Sequence, residues 1–345
     1  MESCGGAVAD RRTIHRTTHL NVDELPTGQI TRVYVEIVAD GLASDILIPI
    51  LVARGRKPGP VYGLTAAVHG NELNGIRVIH DIFQHLDIAN LRGTLCGVVC
   101  VNVPGLHANE RYIYRSFDLN HTFPGKADGN VARLYASRLL ERIIDQFDFL
   151  VDLHTASFGR VNSLYVRADL ENEQTRSMAA RLRPQIVVHN PASDHTLRGA
   201  AMERGIPSIT VEVGDPQRFQ YRYVKSTRQG IRDLLADAEM LPRKRRKDAR
   251  TPIFCARSYW MYTDRGGILE VIPDVATRVV EGERIARVRD AFGDVIREYH
   301  APHDGVVIGK SVNPISPTGS RILHIGVEMD DARAEALVPP EVFEE

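Results

Sequence analysis

The chain has no apolar run approaching the roughly 20 residues that a membrane-spanning helix needs, so a helical membrane protein and a membrane partner are not expected. Its first sixteen residues, MESCGGAVADRRTIHR, lack the continuous apolar stretch after a basic start that marks a secretory signal. They read as part of a loose N-terminal tail. Cysteine is scarce, with four in 345 residues. Cys96 and Cys100 share one β-like run, TLCGVVCVNV. Four strand residues span about 13 Å, too far for a disulfide. Both read as buried free thiols, and a reducing cytoplasm is the default compartment. An excess of either charge is also missing, with 43 Lys and Arg against 44 Asp and Glu. That balance argues against nucleic acid or a polyanionic surface as the main partner.

What is present is ordinary globular material. Hydrophobic residues make up 43% of the chain and charged residues 25%, enough to build a core. The length exceeds what one compact core usually holds, so two domains are expected. Residues 30–53 and 61–69 are rich in Val, Ile, Leu and Tyr and read as strands. The period then changes: Leu73, Ile76, Ile79, Phe83 and Leu86 repeat at three and four, a helix face. FDFLVDLHT is short and nearly all apolar, the kind of strand buried on both faces. Strands alternating with helices predict an α/β domain whose mainly parallel sheet is covered on both sides.

The pattern breaks near Pro242. RKRRKDAR, from Arg243 to Arg250, carries six basic residues and one Asp and reads as a solvated linker. Short β-type runs with Gly-containing turns follow and predict a small all-β domain. The expected plan is a tail over 1–25, a catalytic domain over 26–242, a basic linker over 243–252 and a β domain over 253–335. APHDGVV resembles the hairpins of barrel-sandwich domains, but Lys310 is not at the tip of a Met-Lys hairpin, so no cofactor attachment is expected. Trp260, the only tryptophan, reads with Tyr259 and Tyr262 as interdomain packing rather than substrate contact.

Chemistry gathers at three places. In VHGNE, His69 ends a strand and Glu72 opens the next helix, so the two can converge on one metal ion at the end of a parallel strand. A surface histidine followed by a helix-opening glutamate would look the same. In VDLHT, His154 ends a buried strand, where it is either a ligand or a core histidine. In TVEVGD, Glu212 sits within an apolar strand, which is costly unless the carboxylate is paired or working. Two histidines and a carboxylate leave a fourth zinc position for water. A further glutamate nearby would take that water's proton.

HGNE, DLNHTFPG at 118–125, VDLHT and VEVG, in this order, resemble the succinylglutamate desuccinylase/aspartoacylase family, which is related to the zinc carboxypeptidases. The resemblance implies that family's fold with a C-terminal β domain, and one zinc per chain held by His69, Glu72 and His154. It implies Glu212 as general base and acid, and Asp118 as the carboxylate that holds His69. One position departs. The family reads Asp-Leu-Asn-Arg, with the Arg on the substrate carboxylate, whereas this chain has Asp118, Leu119, Asn120 and His121. Histidine lacks the bidentate fork of arginine. The family's carbonyl-polarising Arg has two candidates here, Arg111 and Arg115; the RYI context favours Arg111, and spacing alone does not choose. Asn120, His121, Arg115 and Arg198 are candidates for substrate binding.

The implied activity is zinc-dependent hydrolysis of the amide bond of a small N-acyl amino acid or a related molecule. Carboxypeptidase-like cleavage of short peptides or glutamyl tails, and non-catalytic binding of a small molecule, are the competing readings. A homo-oligomer stays open.

Overall fold

The computed structural model describes residues 14–243 and 251–330, together with 332, 334 and 337. The Val- and Ile-rich runs form the middle of one mixed sheet, fourteen-stranded among the described residues. Strands Lys57–Ala66, Phe149–His154 and Ser208–Val213 lie side by side and parallel at its centre. Arg92–Val98 is parallel to the first of these on its other side. Leu164–Ala168 runs antiparallel to Ser208–Val213 and carries Ile186–His189 parallel beyond it. Ser208–Val213 is buried at every position, as its apolar run requires of a strand covered on both faces.

Helices cover both faces. Helix Asn74–Gln84 buries Val78, Ile79, Ile82 and Phe83, and helix Tyr221–Asp237 buries Val224, Ile231, Leu234 and Leu235. These pack with Leu64, Val151 and Val211 of the sheet in one core. Helix Val131–Arg142 closes the opposite face through Tyr135, Ala136, Leu139 and Leu140, against Val35, Ile48 and Ile50.

The chain returns to the same sheet in its C-terminal part. Strand Ile253–Tyr262 pairs parallel with Ile186–His189 and antiparallel with Arg321–Glu328, which carries Gly305–Ser311. A second, four-stranded sheet lies beside it, made of Gly267–Val271, Arg284–Arg289, Val295–His300 and Ile315–Ser316. Leu269, Ile285, Val288, Ile322 and Leu323 form the core of this region. The expected α/β architecture with a C-terminal antiparallel β region is therefore present. The two parts, however, share one continuous sheet, with Tyr165, Ile186, Cys255, Val306 and Ile308 buried at the seam.

Two expectations need correction or restriction. The tail is shorter than expected: Ile14–Thr17 pairs parallel with Gln29–Ala39, and Leu20 and Val22 are buried. Arg16 anchors this strand through Glu36 at 2.7 Å. Residues 1–13 and the basic run at 244–250 lie outside the described residues. Cys96, Cys100 and Cys255 are free and buried, and no helix among the described residues is long and apolar enough to cross a membrane.

Close helix–sheet contact under the strand ends depends on Gly75. A Cβ there would lie 2.8 Å from the Cβ of Leu153 and 2.9 Å from that of Ala66. Both neighbours are anchored in central strands, so the helix itself would have to lift. Gly75→Ala should destabilise the protein by about 1–3 kcal/mol, the usual cost of overpacking, despite the better helix propensity of alanine. Urea unfolding checks this; an unchanged or raised midpoint would show that the contact has slack.

Candidate metal and catalytic site

The register of the central strands aligns the functional side chains. His154 and Glu212 are direct neighbours across their parallel pair, and Ala66 faces Leu153. The chain leaves Ala66 through a turn that carries His69, Gly70 and Glu72 before helix Asn74–Gln84 begins. Gly70 is required there by space: a Cβ would fall 2.0 Å from the carbonyl carbon of Gly105.

His69, Glu72 and His154 come together with ligand atoms within 4.8 Å of one another. All three are buried, at 3%, 1% and 3% exposure. Nδ1 of His69 lies 2.8 Å from Oε1 of Glu72 but forms no hydrogen bond with it or with any other described group. A buried, orphaned nitrogen beside a carboxylate oxygen is what a pair of ligand atoms aimed at one ion leaves behind. Nδ1 of His154 lies 2.9 Å from Oε2 of Glu72. The far nitrogen of each ring is held by a carboxylate: Nε2 of His69 meets Asp118 Oδ1 at 3.1 Å and Nε2 of His154 meets Asp152 Oδ2 at 2.8 Å. Such contacts leave each Nδ1 for a metal. Two imidazoles and one carboxylate suit zinc.

Charge is balanced inside this cluster. Burial pushes the Glu72 carboxyl up, but His69 and His154 outweigh it and hold the group well below the usual range. Glu72 also accepts from the Thr155 amide at 3.0 Å and the Ser157 hydroxyl at 3.0 Å. Arg111 donates from Nε to Asp118 Oδ2 at 3.0 Å and from Nη1 to Glu72 Oε1 at 3.3 Å. It also meets the Ser157 hydroxyl.

Glu212 stands across from the three donors with the opposite balance. Burial pushes its carboxyl above the usual value, aided by Glu72 and opposed by Arg167 and the two histidines. Its Oε2 accepts from Asn162 Nδ2 at 3.1 Å, and Arg167 Nη2 stands 3.8 Å from Oε1. A buried glutamate with a raised pKa beside a metal-type donor set is chemically equipped to take and return a proton.

The remaining expected residues lie in different surroundings. Arg111 is at the cluster, whereas Arg115 is exposed in the left-handed region at φ 62°. Asn120 accepts from the Leu197 amide at 3.1 Å, tying its motif to helix Leu197–Glu203. His121 is exposed and lines a cavity of about 670 Å³ with Phe117, Asn130, Asp194 and His195. Arg198 is 1% exposed, and its guanidinium is occupied by the carbonyls of Asn190 and Pro191 and by Asp194. It braces the 190–194 loop. Asp152, Ser157, Asn162 and Arg167 also belong to the site and were not foreseen. Asp152 alone carried a readable signal, because it lies two residues from His154 and so on the same strand face.

The chain is similar to proteins already known in sequence and in fold. The family model described as the succinylglutamate desuccinylase/aspartoacylase catalytic domain matches residues 58–238. A curated relative from Halomonas elongata, named N-alpha-acetyl-L-2,4-diaminobutyric acid deacetylase, is 25% identical over 280 residues. That match covers 77% of this chain and 81% of the relative. Among solved structures, a succinylglutamate desuccinylase from Silicibacter sp. superimposes with a TM-score of 0.78 at 22% identity, covering 89% of this chain and 98% of the other. The product-bound ectoine utilization protein of Ruegeria pomeroyi has a TM-score of 0.78 at 21% identity, covering 88% and 98%. With the ordered motifs, the shared fold and a family match over more than half its length, the chain belongs to the succinylglutamate desuccinylase/aspartoacylase family.

Proposed function

We propose that the chain is a zinc-dependent deacylase that hydrolyses the amide bond of a small N-acyl amino acid. One observation carries this reading: a buried His–Glu–His donor set faces a second buried glutamate whose pKa is raised. The name of the Halomonas elongata relative makes N-acetylated diamino acids the first compounds to try. Strand Gly305–Ser311 pairs with Arg160–Asn162 and sets the C-terminal β region beside Glu212, which favours a small substrate over a peptide.

His69, Glu72 and His154 would hold the ion. When bound there, zinc would acidify a water and polarise the acyl carbonyl. Glu212 accepts the proton of the attacking water as its oxygen bonds to the acyl carbon. As the C–N bond breaks, Glu212 returns that proton to the amine nitrogen. Arg111, held at the edge of the donor set, supplies positive charge to the oxyanion. Asp118 and Asp152 keep the two imidazoles in the tautomer and orientation that expose Nδ1.

Three outcomes test the assignment. Zinc measured by elemental analysis should approach one per chain in the native protein and fall sharply in His154→Ala; undiminished zinc in that variant removes His154 from the ligand set. Glu212→Gln should keep its zinc and lose at least roughly a hundredfold in kcat, since general acid–base help is typically worth 10²–10⁴-fold. A near-native rate would show that another group takes the proton. The acid limb of kcat/KM should lie above the titration of an ordinary glutamate, because Glu212 must be ionised to act and burial raises its pKa. Arg167 opposes that rise, so Arg167→Gln should move the limb to higher pH; a limb that stays put or moves down contradicts the base assignment.

A further inference from the structure

Arg160 and Arg321 both stand against the Trp260 ring and form no ion pair among the described residues, and of the two it is Arg160 that shares a strand with Asn162 of the site. Arg111 is engaged by Asp118 and Glu72, and Arg167 faces Glu212. Among the described residues, no carboxylate lies within ion-pair distance of the Arg160 guanidinium. Instead it stands 5.8 Å from the centroid of the Trp260 ring. Trp260 stacks on His324 with ring planes 10° apart, and His324 meets the Ser258 hydroxyl at 2.8 Å. The aromatic support of Arg160 is therefore rigid and belongs to the C-terminal β region.

The direction in which Arg160 points follows from strand geometry. Arg160 and Asn162 occupy one short strand, two residues apart, and side chains two apart share a face. Asn162 donates to Glu212 on that face, so Arg160 looks into the same cleft. Burial pushes the Arg160 pKa down, and Arg321 and Arg111 add to the effect while Glu212 and Glu72 oppose it. A half-buried guanidinium in such surroundings gains by acquiring an anion. Glu212 returns its proton to the leaving amine, so the half of the substrate nearest Glu212 and Asn162 is the amine half.

We propose that Arg160, laid against Trp260, binds the carboxylate on the amine half of the substrate and gives the chain its preference for N-acyl amino acids over neutral amides. This rests on the deacylase reading above. It also relieves the loss of the family's arginine at His121, since a different wall of the cleft supplies the positive charge.

The test uses the full zinc-loaded chain with the N-acetyl amino acid it hydrolyses best, the α-carboxamide of that compound, and the N-succinyl analogue. The native protein should prefer the acid to the carboxamide by about 10–150-fold in kcat/KM, the range for a hydrogen bond to a charged group. In Arg160→Gln that preference should collapse, chiefly through KM on the acid, with zinc content unchanged; Arg160→Lys should restore part of it. Equal losses on acid and carboxamide, or a preference kept by Arg160→Gln, overturn the role of Arg160. A loss that follows the succinyl carboxylate instead overturns the assignment to the amine half. If the native protein hydrolyses none of the three, the deacylase reading fails and this proposal fails with it.

Discussion

The carboxylate of Glu72 is the point on which the site depends. It is 1% exposed, and leaving such a group uncompensated would cost several kcal/mol. Its compensation comes from three separate stretches: His69 three residues away, Arg111 from the loop after the next strand and helix, and His154 with the Thr155 amide and Ser157 from the far end of a central strand. No one of these stretches can satisfy it alone. The same convergence that makes Glu72 tolerable also brings the metal-type donors together.

The parallel sheet makes that convergence possible, and it separates the roles of two glutamates. Glu72 and Glu212 are both buried within one cleft, yet their environments push them apart. The histidines hold Glu72 ionised, whereas burial and the neighbouring negative charge of Glu72 raise Glu212. A carboxylate that stays ionised suits a ligand, and one poised nearer neutrality suits proton transfer. Register enforces the division: Glu212 pairs directly with His154 across adjacent strands, so it faces the donors without joining them.

Much of this was legible in the sequence because burial leaves a local signature. Glu212 stood out as a carboxylate among valines, and the strand-end positions of His69 and His154 followed from apolar runs with a change of period. The order of four motifs made the family readable. Other features left no such mark. Arg160 and Asn162 look like ordinary polar residues until a strand roughly 150 positions away pairs with them, and Arg167 until Leu164–Ala168 pairs with the strand of Glu212. Ile14–Thr17 is too short to stand out from a tail, and its order comes from pairing with Gln29–Ala39 and from Arg16. Arg198 resembles an anion binder in sequence, yet the carbonyls it holds are set by the path of the 190–194 loop.

The C-terminal β region follows from the same reasoning and is more than a lid. Strand Arg160–Asn162 has three residues, and its only strand partner among the described residues is Gly305–Ser311. So short a strand does not hold its conformation alone. Asn162, which supports Glu212, is thus positioned by a segment from the other end of the chain, with Ser163 also bonded to the Ile308 carbonyl. The continuous sheet supplies the rigidity for this, since Gly305–Ser311 is itself paired to Arg321–Glu328 and through it to Ile253–Tyr262. A buried carboxylate set from one half of the molecule and the hydrogen-bond donor it accepts from, set from the other, must share one frame. A flexible hinge between two closed domains would let that 3.1 Å contact wander, whereas one sheet running through both parts keeps it fixed.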